Sequence, residues 1–323
     1  MSNSIGLYIH IPFCKHKCPY CDFFSGNADE NAFDNYVIEL KDKIKYWSEK
    51  TKRDVATVYF GGGTPTTLSA EQLDTVLGTV NKSFDMSTCR EFTVEAGRPD
   101  TIDIAKLLAL KENKVDRISI NPQTVNDEVL KTIGRKHTAQ QFFEAFELAR
   151  KCGFDNINTD LIAGLPTDTP ESFKNSLDSI VRLKAECITV HTLCMKRASR
   201  LTTEGVTLDL QQARDAREML AYTQNILGQN EYIPYYMYRQ SRMVGNLENV
   251  GWSKKGFESL YNVYVMDETH TILACGSGGV TKLKRNNPDY LERIFNFKYP
   301  YEYIDRFDEL IQRKSGIMQF YGQ

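Results

Sequence analysis

The order in which apolar segments recur constrains this chain more than any single residue does. Strand-like stretches at 7–11, 55–60, 91–95, 115–120, 156–162 and 186–193 alternate with amphipathic stretches at 33–47, 70–80, 104–111, 140–151 and 171–183. In the second set the apolar residues follow the helical period, so that Leu177, Ile180 and Val181 share a face. Thr169 followed by Pro170 supplies an N-cap and a first-turn proline for the last of these helices. Six strands joined in this way run parallel, as a partial barrel or an open sheet. Such folds place their chemistry at the C-terminal ends of the strands. Polar residues of interest stand there: a cysteine loop after the first strand and Gly61-Gly62-Gly63-Thr64-Pro65 after the second, then Glu95 ending the third. Gln123 follows the fourth strand, and Asp160 lies near the end of the fifth.

The cysteine loop reads Cys14-Lys15-His16-Lys17-Cys18-Pro19-Tyr20-Cys21. Three thiolates this close can grip a compact polynuclear metal centre from one loop. A structural zinc site wants a fourth ligand, usually from a second pair at fixed spacing, and no such pair follows. His16 lies between two ligands and is a poor fourth donor. An iron–sulfur cubane is therefore the better reading, and with three cysteines it keeps one iron open to another ligand. The glycine run lets a backbone approach a ligand closely, and the helix start behind it favours an anion such as a carboxylate. It is neither a dinucleotide fingerprint nor a Walker loop. Cys89, Cys152, Cys187, Cys194 and Cys275 are scattered through mostly apolar segments and read as ordinary buried thiols.

With 323 residues, 41% of them hydrophobic, the chain can bury a sizeable core. A net charge of -2 gives no reason to expect a nucleic-acid or anionic-membrane partner. No apolar run approaches the ~18 residues that would span a bilayer. The N-terminus also lacks a basic-then-apolar signal layout, so the expected compartment is the cytoplasm.

After about residue 200 the rhythm changes, which divides the chain into a first domain at 1–200 and a second part at 201–323 packed onto it. The second part reads as a long helix at 208–227, an aromatic run at 232–240 and a Gly/Asn-rich loop at 245–252. Short strands are expected at 263–266 and 272–275, and a final amphipathic helix at 301–314. The expected fold is α/β: a partial (β/α)6 barrel with a smaller mixed α+β C-terminal part.

Together, the cysteine loop, the Gly-Gly-Gly-Thr-Pro segment, Glu95, Gln123, Arg135 and the segment at 160–166 resemble radical S-adenosylmethionine enzymes. The likeness is strongest to the oxygen-independent coproporphyrinogen III dehydrogenase family. Residues 92–100, 119–124, 235–240 and 245–251 look like its HemZ branch, and the likeness runs from about residue 7 to the end. It implies that Cys14, Cys18 and Cys21 ligate three irons of a [4Fe-4S] cluster, the fourth iron being chelated by S-adenosylmethionine. Gly62, Gly63 and Thr64 would meet the methionine moiety, and Tyr8 and Glu95 would lie near the cluster and that first S-adenosylmethionine. Gln123, Arg135 and Asp160 match residues used around a second S-adenosylmethionine. Backbone at Tyr20 and the residue Leu193 would complete the cofactor contacts. Tyr8, Glu95 and Gln123 are the implied catalytic residues.

The implied reaction starts with one electron from a donor such as flavodoxin or ferredoxin, which cleaves S-adenosylmethionine to methionine and a 5′-deoxyadenosyl radical. The radical takes a β-hydrogen from a propionate of the tetrapyrrole coproporphyrinogen III, and loss of carbon dioxide leaves a vinyl group. Two rivals share the loop: an anaerobic heme-degrading methyltransferase and a heme-binding chaperone. Such chaperones carry a His-Asn-x-x-x-Tyr-Trp type segment, whereas the nearest stretch here, 261–266, lacks the histidine and the tryptophan. The tyrosines of 232–238 suit either an edge strand or a wall for a flat macrocycle. Arg239, Arg242 and Lys254 are candidates for its carboxylates. His191, on an apolar strand, reads as a core histidine. Three departures from the family pattern stand out. Phe23 occupies a position where the best-known members have a cysteine. Few residues precede the first strand, as expected of a short or trimmed form. Lys282 falls near an apolar cofactor contact.

Overall fold

A computed structural model describes residues 4–21, 30–195, 199–203, 210–286 and 289–320. Phe23 and the first two residues of the expected helix at 208–227 lie outside the described residues. The first part runs β1 (Ile5–Ile11), α1 (Glu30–Thr51), β2 (Val55–Gly62), α2 (Ala70–Ser83), β3 (Glu91–Gly97) and α3 (Ile104–Glu112). It continues with β4 (Arg117–Ile120), α4 (Asp127–Thr132), α5 (Ala139–Lys151), β5 (Ile157–Ala163), α6 (Pro170–Arg182) and β6 (Cys187–Thr192). All six strands are parallel and paired in sequence order. Serine, threonine, asparagine and aspartate side chains cap α2 to α6, with full capping boxes at Ser69 and Thr138. Thr169 caps α6 and Pro170 opens it, as the sequence predicts.

The later elements extend this sheet at both ends. After the short α7 (Arg200–Thr203) and the long α8 (Leu210–Gln229) come β7 (Ile233–Tyr238) and β8 (Asn249–Ser253). Strand β8 pairs antiparallel with β6, and β7 forms the outer edge. Helix α9 (Leu260–Met266) leads to β9 (Ile272–Cys275), which lies parallel beside β1. Strands β10 (Val280–Asn286) and β11 (Asp289–Phe295) finish that side, followed by α10 (Pro300–Asp305), α11 (Phe307–Arg313) and α12 (Ser315–Phe320). The resulting eleven-stranded sheet has β11 and β7 at its ends, which do not pair, so it is an open, partial barrel.

Two expectations fail here. Residues 263–266 belong to a helix, not a strand. Their aromatic and β-branched composition favours extended backbone, but Ser259 accepts the Asn262 N–H as an N-cap and Glu91 takes the Leu260 N–H. The expected helix at 301–314 is broken at Arg306, whose φ of -112° and ψ of 41° are not helical. The break lets Tyr303 and Phe307 both reach α1, where the Lys43 ammonium lies over the two rings.

Strand alternation assigns the two faces of the sheet. Leu7, Ile9, Ile11, Val58, Phe60, Val94, Ile118, Leu161 and Val190 are buried in one core under the helices. Residues of the opposite parity include Tyr8, His10, Tyr59, Glu95, Ser119, Asn121, Asp160 and His191. Parallel strands covered on both faces would be apolar throughout. Here the second face is polar, which marks it as the lumen of the barrel.

Candidate functional site

The cysteine loop docks on the glycine run that follows β2. Gly63 N–H donates to Ile11 O at 2.8 Å and Thr64 N–H to Phe13 O at 2.7 Å. Cys14 Sγ lies 3.4 Å from Thr64 Oγ1. A Cβ on Gly63 would meet Phe13 O at 2.3 Å, so only glycine allows this approach. At Cys18 the loop meets Arg98, whose Nη2 donates to Cys18 Sγ at 2.9 Å and to His16 O at 2.8 Å. Arg135, just beyond α4, donates from Nε to the Tyr20 hydroxyl at 3.2 Å. Burial works against the Arg135 charge, but Tyr20 and Cys18 beside it hold the guanidinium above its ordinary value.

A cavity of about 160 Å³ opens under the loop. Its lining includes Cys14, Cys18, Cys21, Tyr20, Gly62, Gly63, Thr64, Glu95, Gln123 and Arg135, together with Arg98 and Asn121. Of the residues singled out from sequence as cofactor contacts or catalytic groups, Tyr8, Asp160 and Leu193 are outside that lining. Glu95 accepts from the Tyr59 hydroxyl at 2.7 Å, and burial pushes its carboxyl up to about 7. Gln123 sits at φ +71°, a left-handed conformation rare for a residue with a side chain. It is held there because its N–H donates to Asp160 O and its carbonyl accepts from Ile162 N–H, both at 3.0 Å.

Among the described residues, several buried polar atoms around the cavity have no hydrogen-bond partner: Gln123 Oε1, Arg98 Nη1 and Arg135 Nη1, with Asp100 Oδ1 and both ring nitrogens of His137 nearby. Folded proteins tolerate few such atoms, so a cluster of them points to a polar ligand. Among the described residues no three His, Cys, Asp or Glu side chains converge as they would around a single ion. Three thiols spread around one cavity, beside open donors and an open acceptor, instead fit a polynuclear centre with a polar molecule bound to it.

Further into the lumen, Asn158 Nδ2 bridges Asp160 Oδ1 at 2.7 Å and Ser119 Oγ at 2.8 Å. His191 Nε2 is 3.5 Å from Asp160 Oδ2, and its Nδ1 is 3.4 Å from the Tyr238 hydroxyl. His191 is thus half-buried on the polar face, not a core histidine; apolar neighbours in sequence concealed its lumen-facing parity. Asp160 lies mid-strand in β5 instead of at its end. Tyr8 forms a stack with Tyr59 and Tyr261, and its hydroxyl is 2.9 Å from His10 Nδ1. Leu193 is buried in a small apolar cluster with Ile162 and Val244, against which Tyr20 packs.

The candidate carboxylate binders fare less well. Lys254 lies beside the start of β6, at the far end of the strands from the cysteine loop. Its ammonium is held by Asn230 O and the Tyr232 ring. Arg239 pairs with Glu248 at 3.3 Å, and Arg242 is exposed. Lys282 lies 3.8 Å from Glu268 and donates to Val265 O. The sequence reading gave no role to Arg98, Tyr59 or His137; a lone arginine after a strand offers no spacing signal, and only the fold brings it to Cys18.

The family model for the Radical SAM superfamily matches residues 8–180. The oxygen-independent coproporphyrinogen-III oxidase-like protein HemZ of Bacillus subtilis is 39% identical over 99% of this chain. The chain spans 65% of the length of that relative. The heme chaperone HemW of Lactococcus lactis is 35% identical over 87% of this chain and 71% of its own. In fold the chain is similar to coproporphyrinogen III oxidase HemN of Escherichia coli, with a TM-score of 0.76 and 22% identity over 95% of this chain and 70% of that one. The chain belongs to the radical SAM superfamily and is HemN/HemZ-like within it.

Proposed function

We propose that this chain is a radical S-adenosylmethionine enzyme acting on a tetrapyrrole, and that it decarboxylates propionates of coproporphyrinogen III to vinyl groups. The observation that carries the reading is the one cavity in which the three cysteines meet the glycine run, Glu95, Gln123, Arg98 and Arg135. Likeness to HemZ over nearly the whole chain supports the substrate class. When bound, a [4Fe-4S] cluster and S-adenosylmethionine supply a 5′-deoxyadenosyl radical on receipt of one electron from a donor such as flavodoxin or ferredoxin.

The chain's own part is to hold, orient and keep dry. Cys14, Cys18 and Cys21 are the metal ligands in this reading. Gly62 and Gly63 bring backbone close to the ligand, and Thr64 stands beside Cys14. Gln123 Oε1 and Arg135 Nη1 offer an acceptor and a donor that no group among the described residues uses. Glu95, poised near neutral pH, accepts hydrogen bonds from an ammonium or a ribose hydroxyl. The stacked rings of Tyr8, Tyr59 and Tyr261 wall off one side of the lumen. Asp160, His191 and Tyr238 form the polar surface that a macrocycle entering the lumen would meet.

The second reading, a heme chaperone, is favoured by the likeness to HemW. Anaerobic reconstitution with iron and sulfide, followed by S-adenosylmethionine, a strong reductant and either coproporphyrinogen III or heme, separates the two. Decarboxylated product together with 5′-deoxyadenosine supports the enzyme. Stable heme binding without turnover of coproporphyrinogen III supports the chaperone and overturns the enzyme reading.

A further inference from the structure

Arg98 is a buried cation that touches a cysteine of the loop. Its residue is 3% exposed, and Nη2 is shared between Cys18 Sγ and His16 O. Among the described residues no carboxylate pairs with it, and Nη1 is buried without a partner. The backbone fixes this placement. Gly97, at φ +63°, turns the chain at the end of β3, Arg98 N–H donates to Ala96 O at 2.6 Å, and a turn of 3-10 helix at Pro99–Thr101 follows at once. A guanidinium stays charged at any working pH, and a buried charge without a counter-charge is costly. Among the described residues, the group placed against it that can carry negative charge is the Cys18 sulfur. Arg135, beside Tyr20, adds a second cation close to the same thiol.

We propose that Arg98, through its hydrogen bond to the Cys18 sulfur, raises the reduction potential of the cluster held by the loop. It is a positioning and electrostatic residue, not a catalytic one. An N–H donor on a ligand sulfur withdraws electron density, and a fixed positive charge nearby favours the form that has gained an electron. One electron enters from an external reductant, dithionite in the test below, and the cluster passes from its 2+ to its 1+ state. No proton or bond change is required. The same nitrogen also donates to His16 O, which holds the loop over the cavity.

The inference rests on cluster ligation by Cys14, Cys18 and Cys21. It is tested by redox titration followed by electron paramagnetic resonance, on reconstituted wild type, Arg98→Met and Arg98→Lys without S-adenosylmethionine. With iron content equal to wild type, Arg98→Met should lower the midpoint by at least 59 mV, the equivalent of a tenfold shift in a one-electron equilibrium. Arg98→Lys keeps the charge but reaches only one of the two acceptors, so a smaller drop is expected. An unchanged midpoint in Arg98→Met overturns the proposal. Should that variant fail to retain iron, Arg98→Lys decides: a lowered midpoint supports the proposal and an unchanged one overturns it. A wild-type chain that assembles no [4Fe-4S] cluster would defeat the underlying ligand reading instead.

Discussion

Tyr59 on β2 donates its hydroxyl to Glu95 on β3 at 2.7 Å, and this contact occurs inside the lumen, where burial raises the carboxyl to about 7. Burial outweighs the Tyr59 bond and the Gly62 N–H, both of which act to lower the value. The folded chain therefore prefers Glu95 protonated, while the unfolded chain ionises near 4.5. Its contribution to stability is full below the unfolded value and is lost as pH rises toward the folded one. Glu95→Gln, neutral throughout, removes that loss. Relative to wild type, the cofactor-free variant should gain roughly 3 kcal/mol between about pH 4.5 and about pH 8 in urea denaturation. A stability difference independent of pH would show that Glu95 is not held in a raised state.

Gly63 offers a test of how the loop docks. A methyl at this position would strike the Phe13 carbonyl, and backbone cannot move aside as a flexible side chain can. Gly63→Ala should cost about 2 kcal/mol of stability and displace the cysteine loop. Iron per chain after anaerobic reconstitution should fall well below wild type, while Cys14→Ala should lose the cluster absorbance entirely. Full iron in Gly63→Ala would mean the loop docks elsewhere when loaded.

Ser259 tests the helix that sequence reasoning read as a strand. Its hydroxyl caps α9 at Asn262 N–H and also donates to Glu91 Oε1 at 2.9 Å. Ser259→Ala should cost about 1–2 kcal/mol, measured by chemical denaturation. No loss would indicate that residues 260–266 do not depend on this cap.

What could be read in the sequence follows from where the physics is local. The six strands and their crossover helices show plainly, since apolar period and caps such as Thr169 and Pro170 act within one turn. The cysteine loop and the glycine run are equally local, and the fold brings them to one cavity as their place after β1 and β2 suggests. Features set by distant partners were harder to see. Helix α9 owes its start to Glu91, far away in sequence, and its Tyr261 stacks with Tyr8 and Tyr59. His191 and Arg98 gain their surroundings from β5, β7 and the cysteine loop, which no spacing along the chain reveals. Lys254, a carboxylate candidate by sequence, is held by Asn230 O and the Tyr232 ring beside the start of β6.

The most direct test of the account uses coproporphyrinogen III deuterated at the β-carbons of its propionates. Reconstituted chain, S-adenosylmethionine and reductant are mixed without oxygen, and both products are analysed by mass spectrometry. The account predicts deuterium in the 5′-deoxyadenosine, matched by loss of carbon dioxide from the tetrapyrrole. Unlabelled 5′-deoxyadenosine with intact coproporphyrinogen III would contradict it.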